Sequence, residues 1–284
     1  MFLKIAGGFA VLWFTDSDCG IKLWKSRLFP TKVVLVVSGS KERKMQNRYT
    51  GDIGDYGKLG LLRVLQFAGL TVGVNWYLTP DENHNGDGRH VDYLKKEEYR
   101  VCDESLWSEL NNIVNSEQRE VQALQNDSIL NASFYSKPLV FSGKTKMERC
   151  SIRERWHKKA LSELARMDIV FVDPDNGLIV PSAVGTVKEN KYVLPDEIVD
   201  YYRQGSSVVY YQHKARKQDS FYMDQQNRLL KRTELNEAAG LALKFKKTSQ
   251  RYYFFVMQPR HREVIERAVR GMIASAWGDH FEWR

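Results

Sequence analysis

Apolar and polar residues alternate along this chain in blocks that predict helices followed by strands. The clearest strand is Ile169–Val172, four apolar residues, and the Asp-Pro-Asp-Asn-Gly segment at 173–177 cannot extend it. Apolar residues at helical spacing predict a helix over 151–166 that leads into this strand. A short helix over 196–202 and an apolar run over 207–211 repeat the same order. This order is typical of a parallel sheet joined by crossover helices.

The remaining blocks continue the pattern. They predict helices over 59–67, 103–114, 117–124, 222–239 and 261–276, and strands over 71–78, 139–141, 241–245 and 252–257. About four polar residues join the last two strands, which is typical of an antiparallel hairpin. We therefore predict a single three-layer α/β domain over residues 45–284, with a mostly parallel sheet and a C-terminal antiparallel hairpin.

Residues 1–44 differ in charge from the rest of the chain. They contain eight basic and three acidic residues, so they carry +5 of the chain's formal net charge of +8. The apolar run at 5–14 is too short to span a bilayer, so we expect no membrane partner. Two interpretations stay open. The codons for residues 41–43 can resemble a ribosome-binding site ahead of a later start at Met45, or the segment is an extension whose residues 32–37 add an edge strand.

Charge and cysteine content suggest a compartment and a partner. A net charge of +8 indicates a polyanion such as DNA or RNA, although only +3 remains outside residues 1–44. Cys19, Cys102 and Cys150 lie far apart and show neither a disulfide framework nor metal-ligand spacing. We expect a cytoplasmic protein, and no pattern in the chain specifies its oligomeric state.

Polar side chains follow the Ile169–Val172 strand directly. Ligands of open α/β sheets bind beyond the carboxyl ends of the strands, so Asp173, Asp175 and Asn176 are candidate catalytic residues. The alternative is an ordinary turn, because Asp, Pro, Asn and Gly are also the commonest turn residues.

The strand predicted at 207–211 is also followed by polar residues. His213 is a candidate proton carrier because histidine titrates near neutral pH, or it is a structural histidine. Lys214 and Arg216 are candidate phosphate contacts, or part of a solvated face.

Two further segments are candidate ligand contacts. In the loop after the first predicted strand, Gly86, Asp87, Gly88 and Arg89 allow close approach of a phosphate or nucleoside to the backbone, or they form a solvated loop. Ahead of the first predicted helix, Asp55, Tyr56 and Lys58 belong to a polar segment at 52–58. We expect this segment to be either a lid over a pocket, with Tyr56 and Lys58 exposed, or a capped helix start.

These features together resemble class I S-adenosylmethionine-dependent methyltransferases over about residues 49–258. The nearest analogies are the ribosomal RNA adenine-N6 methyltransferases of the large subunit and the three-Cys-motif partner family, in which a lysine-bearing helix also precedes the first strand. Lys58 has that place here, Gly86–Arg89 falls near the cofactor loop, and Asp173 with Pro174 matches the start of the DPPY-type motif. Asp175 and Asn176 then depart from that motif, which has an aromatic fourth position. The chain also resembles a family of bacterial and phage proteins with DPDNG and YQH segments and no assigned activity.

The resemblance implies a Rossmann-like fold, S-adenosylmethionine as cofactor and a nucleic acid as substrate. It places Gly86–Arg89 at the cofactor and gives Asp173 and Asn176 contacts to an exocyclic amine. A second hypothesis is Mg²⁺-dependent phosphodiester cleavage, with Asp173 and Asp175 as metal ligands beside Asp52, Asp55 or Asp87. A third is a nucleic-acid-binding protein without catalysis.

Overall fold

A computed structural model describes residues 2–6, 9–13, 50–80, 90–116, 119–247 and 250–284. The chain divides into two units, residues 1–42 and 43–284. In the first unit, β1 (Phe2–Ala6) and β2 (Phe9–Trp13) form an antiparallel pair. The edge strand expected at 32–37 lies outside the described residues.

The second unit is built on a seven-stranded sheet. Its strands are β3 (Val72–Asn75), β4 (Ser133–Tyr135), β5 (Ile169–Val172), β8 (Ser207–His213), β9 (Ala239–Phe245), β10 (Arg251–Met257) and β11 (Phe281–Trp283), in the spatial order β11-β9-β10-β8-β5-β3-β4. The strands β4, β3, β5 and β8 pair in parallel, whereas β10 is antiparallel to both β8 and β9. The sheet is therefore mostly parallel and carries the predicted antiparallel hairpin. A separate short parallel pair joins β6 (Gly177–Leu178) to β7 (Tyr192–Val193).

Helices cover both faces of the sheet. They are α1 (Ile53–Phe67), α2 (Glu97–Arg100), α3 (Glu104–Asn115), α4 (Lys146–Glu163), α5 (Pro195–Arg203), α6 (Asp219–Leu230) and α7 (Pro259–Ala274). Phe171 of β5 packs in the core with α1, α3 and α7, and its neighbours Val170 and Val172 pack in a second core with α4, α5 and α6. Alternate residues of a strand point to opposite faces, so one strand supplies both cores. The predicted three-layer α/β architecture is present.

The strand β5 lies inside the sheet, between β3 and β8, and all four of its residues are buried. Its predicted position is confirmed. The strand expected at 139–141 is wrong: Leu139 and Phe141 are buried without forming a strand, and Ser133–Tyr135 pairs with β3 instead. A short apolar run indicates only that a segment is buried, and burial alone does not distinguish a strand from a loop that packs on the core.

The helix α1 begins earlier than the apolar pattern indicates. Asp52 is its N-cap, and its side chain accepts hydrogen bonds from the backbone amides of Gly54 and Asp55 at 2.7 and 3.0 Å. The segment 53–58 is therefore the buried start of a helix, and the lid interpretation is wrong. Within the described ranges, no helix is both long enough and apolar enough to cross a membrane.

Candidate functional site

The central feature of the carboxyl edge of the sheet is a buried ion pair. The Nζ of Lys58, on α1, lies 2.5 Å from Oδ2 of Asp173, at the end of β5, and 3.1 Å from Oδ1 of Asp55. The same ammonium group lies 4.9 Å from the ring centre of Trp76, which follows β3. The pair thus joins the first helix to the ends of two neighbouring strands.

Local structure fixes both partners of this pair. Lys58 lies one helical turn after Asp55, so both side chains share one face of α1. The Asp173 amide donates to the backbone oxygen of Asn75 at 2.9 Å, which continues the β3–β5 ladder by one residue before Pro174 interrupts it. The Asp173 carboxylate therefore follows Phe171 on the α1 face of the sheet.

Burial controls the protonation of this pair. Burial raises the pKa of Asp173 to about 6, although the adjacent Lys58 opposes the shift. For Lys58, burial would lower the pKa, but the two carboxylates of Asp173 and Asp55 outweigh it and hold the pKa above its ordinary value. Near neutral pH, Lys58 is charged and Asp173 is an ionised group that takes up a proton readily. That property suits a general base.

Two more charged groups complete what we call the Lys58 cluster: Asp52, Asp55, Lys58, Asp173 and Arg251. Burial and the adjacent Asp55 raise the pKa of Asp52. Arg251, the first residue of β10, is buried and lies so close to Gly54 that a Cβ atom there would overlap its guanidinium. Three carboxylates against two cations give the cluster a formal charge of −1 when all are ionised.

A side-chain amide holds the turn that follows Asp173. Gln212 of β8 accepts a hydrogen bond from the Leu178 amide at 2.9 Å and donates to the backbone oxygen of Asn176 at 2.9 Å. Gly177, with φ +103°, brings the backbone against this amide. The DPDNG and YQH segments, far apart in sequence, are therefore one structural unit.

Asp175 and Asn176 contact residues outside the Lys58 cluster, although Asp175 is close enough to help raise the pKa of Asp173. Oδ2 of Asp175 lies 3.4 Å from the Thr79 hydroxyl and 3.8 Å from Nζ of Lys191. The Asn176 amide donates to the backbone oxygen of Lys191 at 3.0 Å. The two aspartates considered as metal ligands thus each lie beside a different lysine. Among the described residues, no group of three or more histidine, cysteine or acidic side chains is placed to hold a metal ion.

The residues after β8 lie farther along the same edge. Tyr210 pairs with Val172, so Tyr211 is level with Asp173, and His213 is about 7 Å farther along the strand. Nδ1 of His213 lies 3.4 Å from the Tyr211 hydroxyl. Nζ of Lys214 lies 3.5 Å from Asp219, and Arg216 is exposed.

The structure brings together only some of the predicted site residues. Asp55, Lys58 and Asp173 are in contact. The sequence predicts that Lys58 and Tyr56 are exposed, but both side chains are buried. The Tyr56 hydroxyl donates to the backbone oxygen of Tyr99, and its ring stacks on Trp277. Tyr56 is therefore a core residue, placed inward by the early start of α1. Gly86, Asp87, Gly88 and Arg89 lie outside the described residues, so the cofactor loop stays a prediction.

The sequence interpretation missed three residues around the ion pair. Arg251 belongs to the Lys58 cluster, Trp76 contacts Lys58, and Tyr253 of β10 lies opposite Tyr211 of β8. In the run Arg251–Met257, only aromatic and apolar residues follow the arginine, and such a run predicts no more than a buried strand. The one available signal was the arginine itself, because a charge at the start of a buried strand requires a partner.

No family model and no curated protein matches this chain.

Proposed function

We propose that this protein is an S-adenosylmethionine-dependent methyltransferase-like enzyme that acts on an amino group of a nucleic acid. The observation that carries the proposal is the buried Lys58–Asp173 pair at the carboxyl end of β5, with the pKa of Asp173 raised to about 6. A carboxylate in this state accepts hydrogen bonds from an amine and then takes its proton.

The architecture supports a Rossmann-like assignment. Four strands pair in parallel, helices cover both faces, and the sheet ends in an antiparallel hairpin, as the resemblance to class I methyltransferases implies. Asp173 and Pro174 follow an interior strand, the position where such sheets bind ligands. Fold does not determine function, so the proposal depends on the site.

The chemistry of the Lys58 cluster fits a cationic cofactor. Its carboxylates outnumber its cations, and the aromatic side chains of Trp76 and Tyr253 lie beside them. A sulfonium is attracted both by carboxylates and by aromatic faces. The residues that would hold the rest of the cofactor are those of the predicted loop, Gly86–Arg89.

Bound S-adenosylmethionine supplies an electrophilic methyl group. Asp173 accepts a hydrogen bond from the substrate amine and orients the nitrogen lone pair. When the amine is methylated, the Asp173 carboxylate would take up the amine proton and release it to solvent. Lys58 keeps Asp173 ionised beforehand and stays protonated throughout.

A basic segment on the same edge supports a nucleic-acid substrate. Arg216 and Lys217 are exposed after β8, and no described carboxylate forms an ion pair with either residue. Contacts of this kind hold phosphates without reading sequence. His213 lies between this segment and Asp173 along β8, and we propose it as a contact to the same substrate.

The test combines calorimetry with a transfer assay. We expect S-adenosylmethionine to bind and labelled methyl groups to reach DNA or RNA, with Asp173→Asn losing at least about a hundredfold in rate. Asp175→Asn should retain most of the activity because Asp175 lies outside the Lys58 cluster. Binding of Mg²⁺ with nucleic-acid cleavage lost in both variants would select the nuclease hypothesis. Nucleic-acid binding with neither activity would select the non-catalytic one.

A further inference from the structure

The outer edge of β11 carries backbone groups that have no partner. β11 is the last strand at one side of the seven-stranded sheet, and its neighbour among the described strands is β9. The Arg284 amide donates to the backbone oxygen of Ala242 on β9 at 2.9 Å, and alternate residues of an antiparallel strand bond to the same neighbour, so Glu282 also bonds to β9. The N–H and C=O groups of Phe281 and Trp283 therefore point away from the sheet. Within the described part of the chain, nothing bonds these groups, which can accept another strand.

An apolar groove lies beside this edge, on the side of the sheet that α7 covers. The groove has a volume of about 320 Å³, and it is lined by Arg270, Ile273 and Ala274 of α7 and by Trp283 of β11. The Arg270 guanidinium lies 4.8 Å from the ring centre of Trp283. A strand that pairs with β11 gains backbone hydrogen bonds and can place a side chain in this groove.

The charged residues of β11 are arranged so that the strand complements itself. Glu282 and Arg284 lie on either side of Trp283 in the sequence, and their charged groups are 3.0 Å apart. Arg284 also lies 3.4 Å from Asp219, and its side chain keeps 39% of its surface exposed. A two-fold axis through Trp283 places Glu282 of one chain opposite Arg284 of a second copy, and the reverse. An axis through Glu282 instead places two glutamates opposite each other, so charge favours the first register.

We propose that the outer edge of β11 is an interface between two copies of this protein, paired antiparallel about a two-fold axis through Trp283. Trp283 of each copy exchanges backbone hydrogen bonds with Trp283 of the other. Residues directly opposite each other lie on the same side of a sheet, so each indole ring covers the groove of the other copy. Ion pairs between Glu282 and Arg284 complete the contact on the opposite side. Because β11 is short, we expect a weak dimer that forms at micromolar concentration or above.

Sedimentation velocity of the full chain, from micromolar to millimolar concentration, tests the charges of this interface. Glu282→Arg and Arg284→Glu should each weaken association at least about tenfold, because each variant places like charges opposite each other in both halves of the dimer. The double variant with both changes restores opposite charges and should associate within about threefold of the wild type. Glu154→Arg is the matched control: it makes the same change in charge at an exposed position of α4 and should leave association unchanged.

Hydrogen exchange tests the backbone contact independently of any variant. The Trp283 amide should exchange more slowly at high protein concentration than at low concentration, whereas the exchange of the Phe281 amide should not change. Arg284→Glu also adds a carboxylate beside Asp219, so if that variant fails to fold, Glu282→Arg and the exchange measurement decide. A monomer at every concentration, association unchanged by Glu282→Arg, or exchange of the Trp283 amide that does not depend on concentration would overturn the inference.

Discussion

The side-chain amide of Gln212 lies directly against Gly177, in the space that a Cβ atom on that residue would occupy. The amide of Gln212 bonds the residues on either side of Gly177, accepting from Leu178 and donating to Asn176. The turn after Asp173 is therefore held from β8 and does not depend on its own residues alone.

Gly177→Ala should destabilise the fold. The φ of +103° strains any residue with a Cβ, and the added methyl group would overlap the Gln212 amide. We expect a loss of about 2 kcal/mol or more in the free energy of unfolding, measured in urea. Gly271→Ala is the control of opposite sign. Gly271 is an exposed position of α7 with open space around it, and alanine there should add up to about 1 kcal/mol.

Removing one partner of the Lys58–Asp173 pair should lower the free energy of unfolding more than removing both partners. Lys58→Met leaves a buried carboxylate without its cation, and we expect a loss of about 3 kcal/mol or more. Adding Asp173→Leu to that variant should recover part of the loss, because only Asp55 is then left without its lysine. A double variant no more stable than Lys58→Met would show that the pair is not the source of the loss. Lys158→Met, at an exposed position of α4, should change stability by less than about 0.5 kcal/mol.

Asp173 should make the fold less stable as the pH rises from about 4 to above 6. Its pKa is higher in the folded protein, about 6, than in the unfolded chain, so folding takes up a proton between these values. The stability that protonated Asp173 contributes is complete below pH 4 and disappears as the pH passes 6. Urea titrations of the wild type and Asp173→Asn should diverge over this window by about 3 kcal/mol.

Asp219 should have the opposite effect on the pH dependence of stability, because its pKa is lowered in the folded protein. Lys244 and its other partners hold the pKa of Asp219 at about 2, despite the opposing effect of burial. The stability that ionised Asp219 contributes is present above pH 4 and is lost as the pH falls towards 2.

The prediction for Asp173 has a clear contrary outcome. If the free energy of unfolding of the wild type and of Asp173→Asn changes with pH in parallel, Asp173 has an ordinary pKa.

Exposed basic residues after β8 should govern binding to nucleic acid. For a labelled single-stranded oligonucleotide, Arg216→Glu with Lys217→Glu should weaken binding at least about tenfold at low salt. The slope of log K against log salt should fall by about 1.4, because two phosphate contacts are removed. Fluorescence anisotropy across a salt series measures both quantities.

The matched control is Lys158→Glu with Lys159→Glu, which makes the same change in charge on α4. We expect this variant to bind within about twofold of the wild type. Equal weakening in the two double variants would mean that net charge alone determines binding.

Sequence reasoning located Asp173 because it has a local signal, whereas Lys58 was placed through a family resemblance and was expected to be exposed, although it is buried. A carboxylate directly after a buried strand must lie at the edge of the sheet, and that inference needs no knowledge of distant contacts. Arg251 and Tyr253 could not be placed in this way, because their neighbours depend on the register of β10 against β8. Tyr56 was misplaced for a related reason: the Asp52 cap starts α1 early and turns Tyr56 towards Trp277.

The position of Arg251 has a consequence for synthesis on the ribosome. Asp52, Asp55 and Lys58 are made early, Asp173 follows much later, and the guanidinium that lies against Gly54 comes from β10, near the end of the chain. Domains are made from the N-terminus onwards, so an unfinished chain holds the acidic groups without their second cation. A polypeptide that stops before residue 251 also lacks the Tyr253 hydroxyl. The complete site is thus available only to a chain that has been translated beyond residue 253.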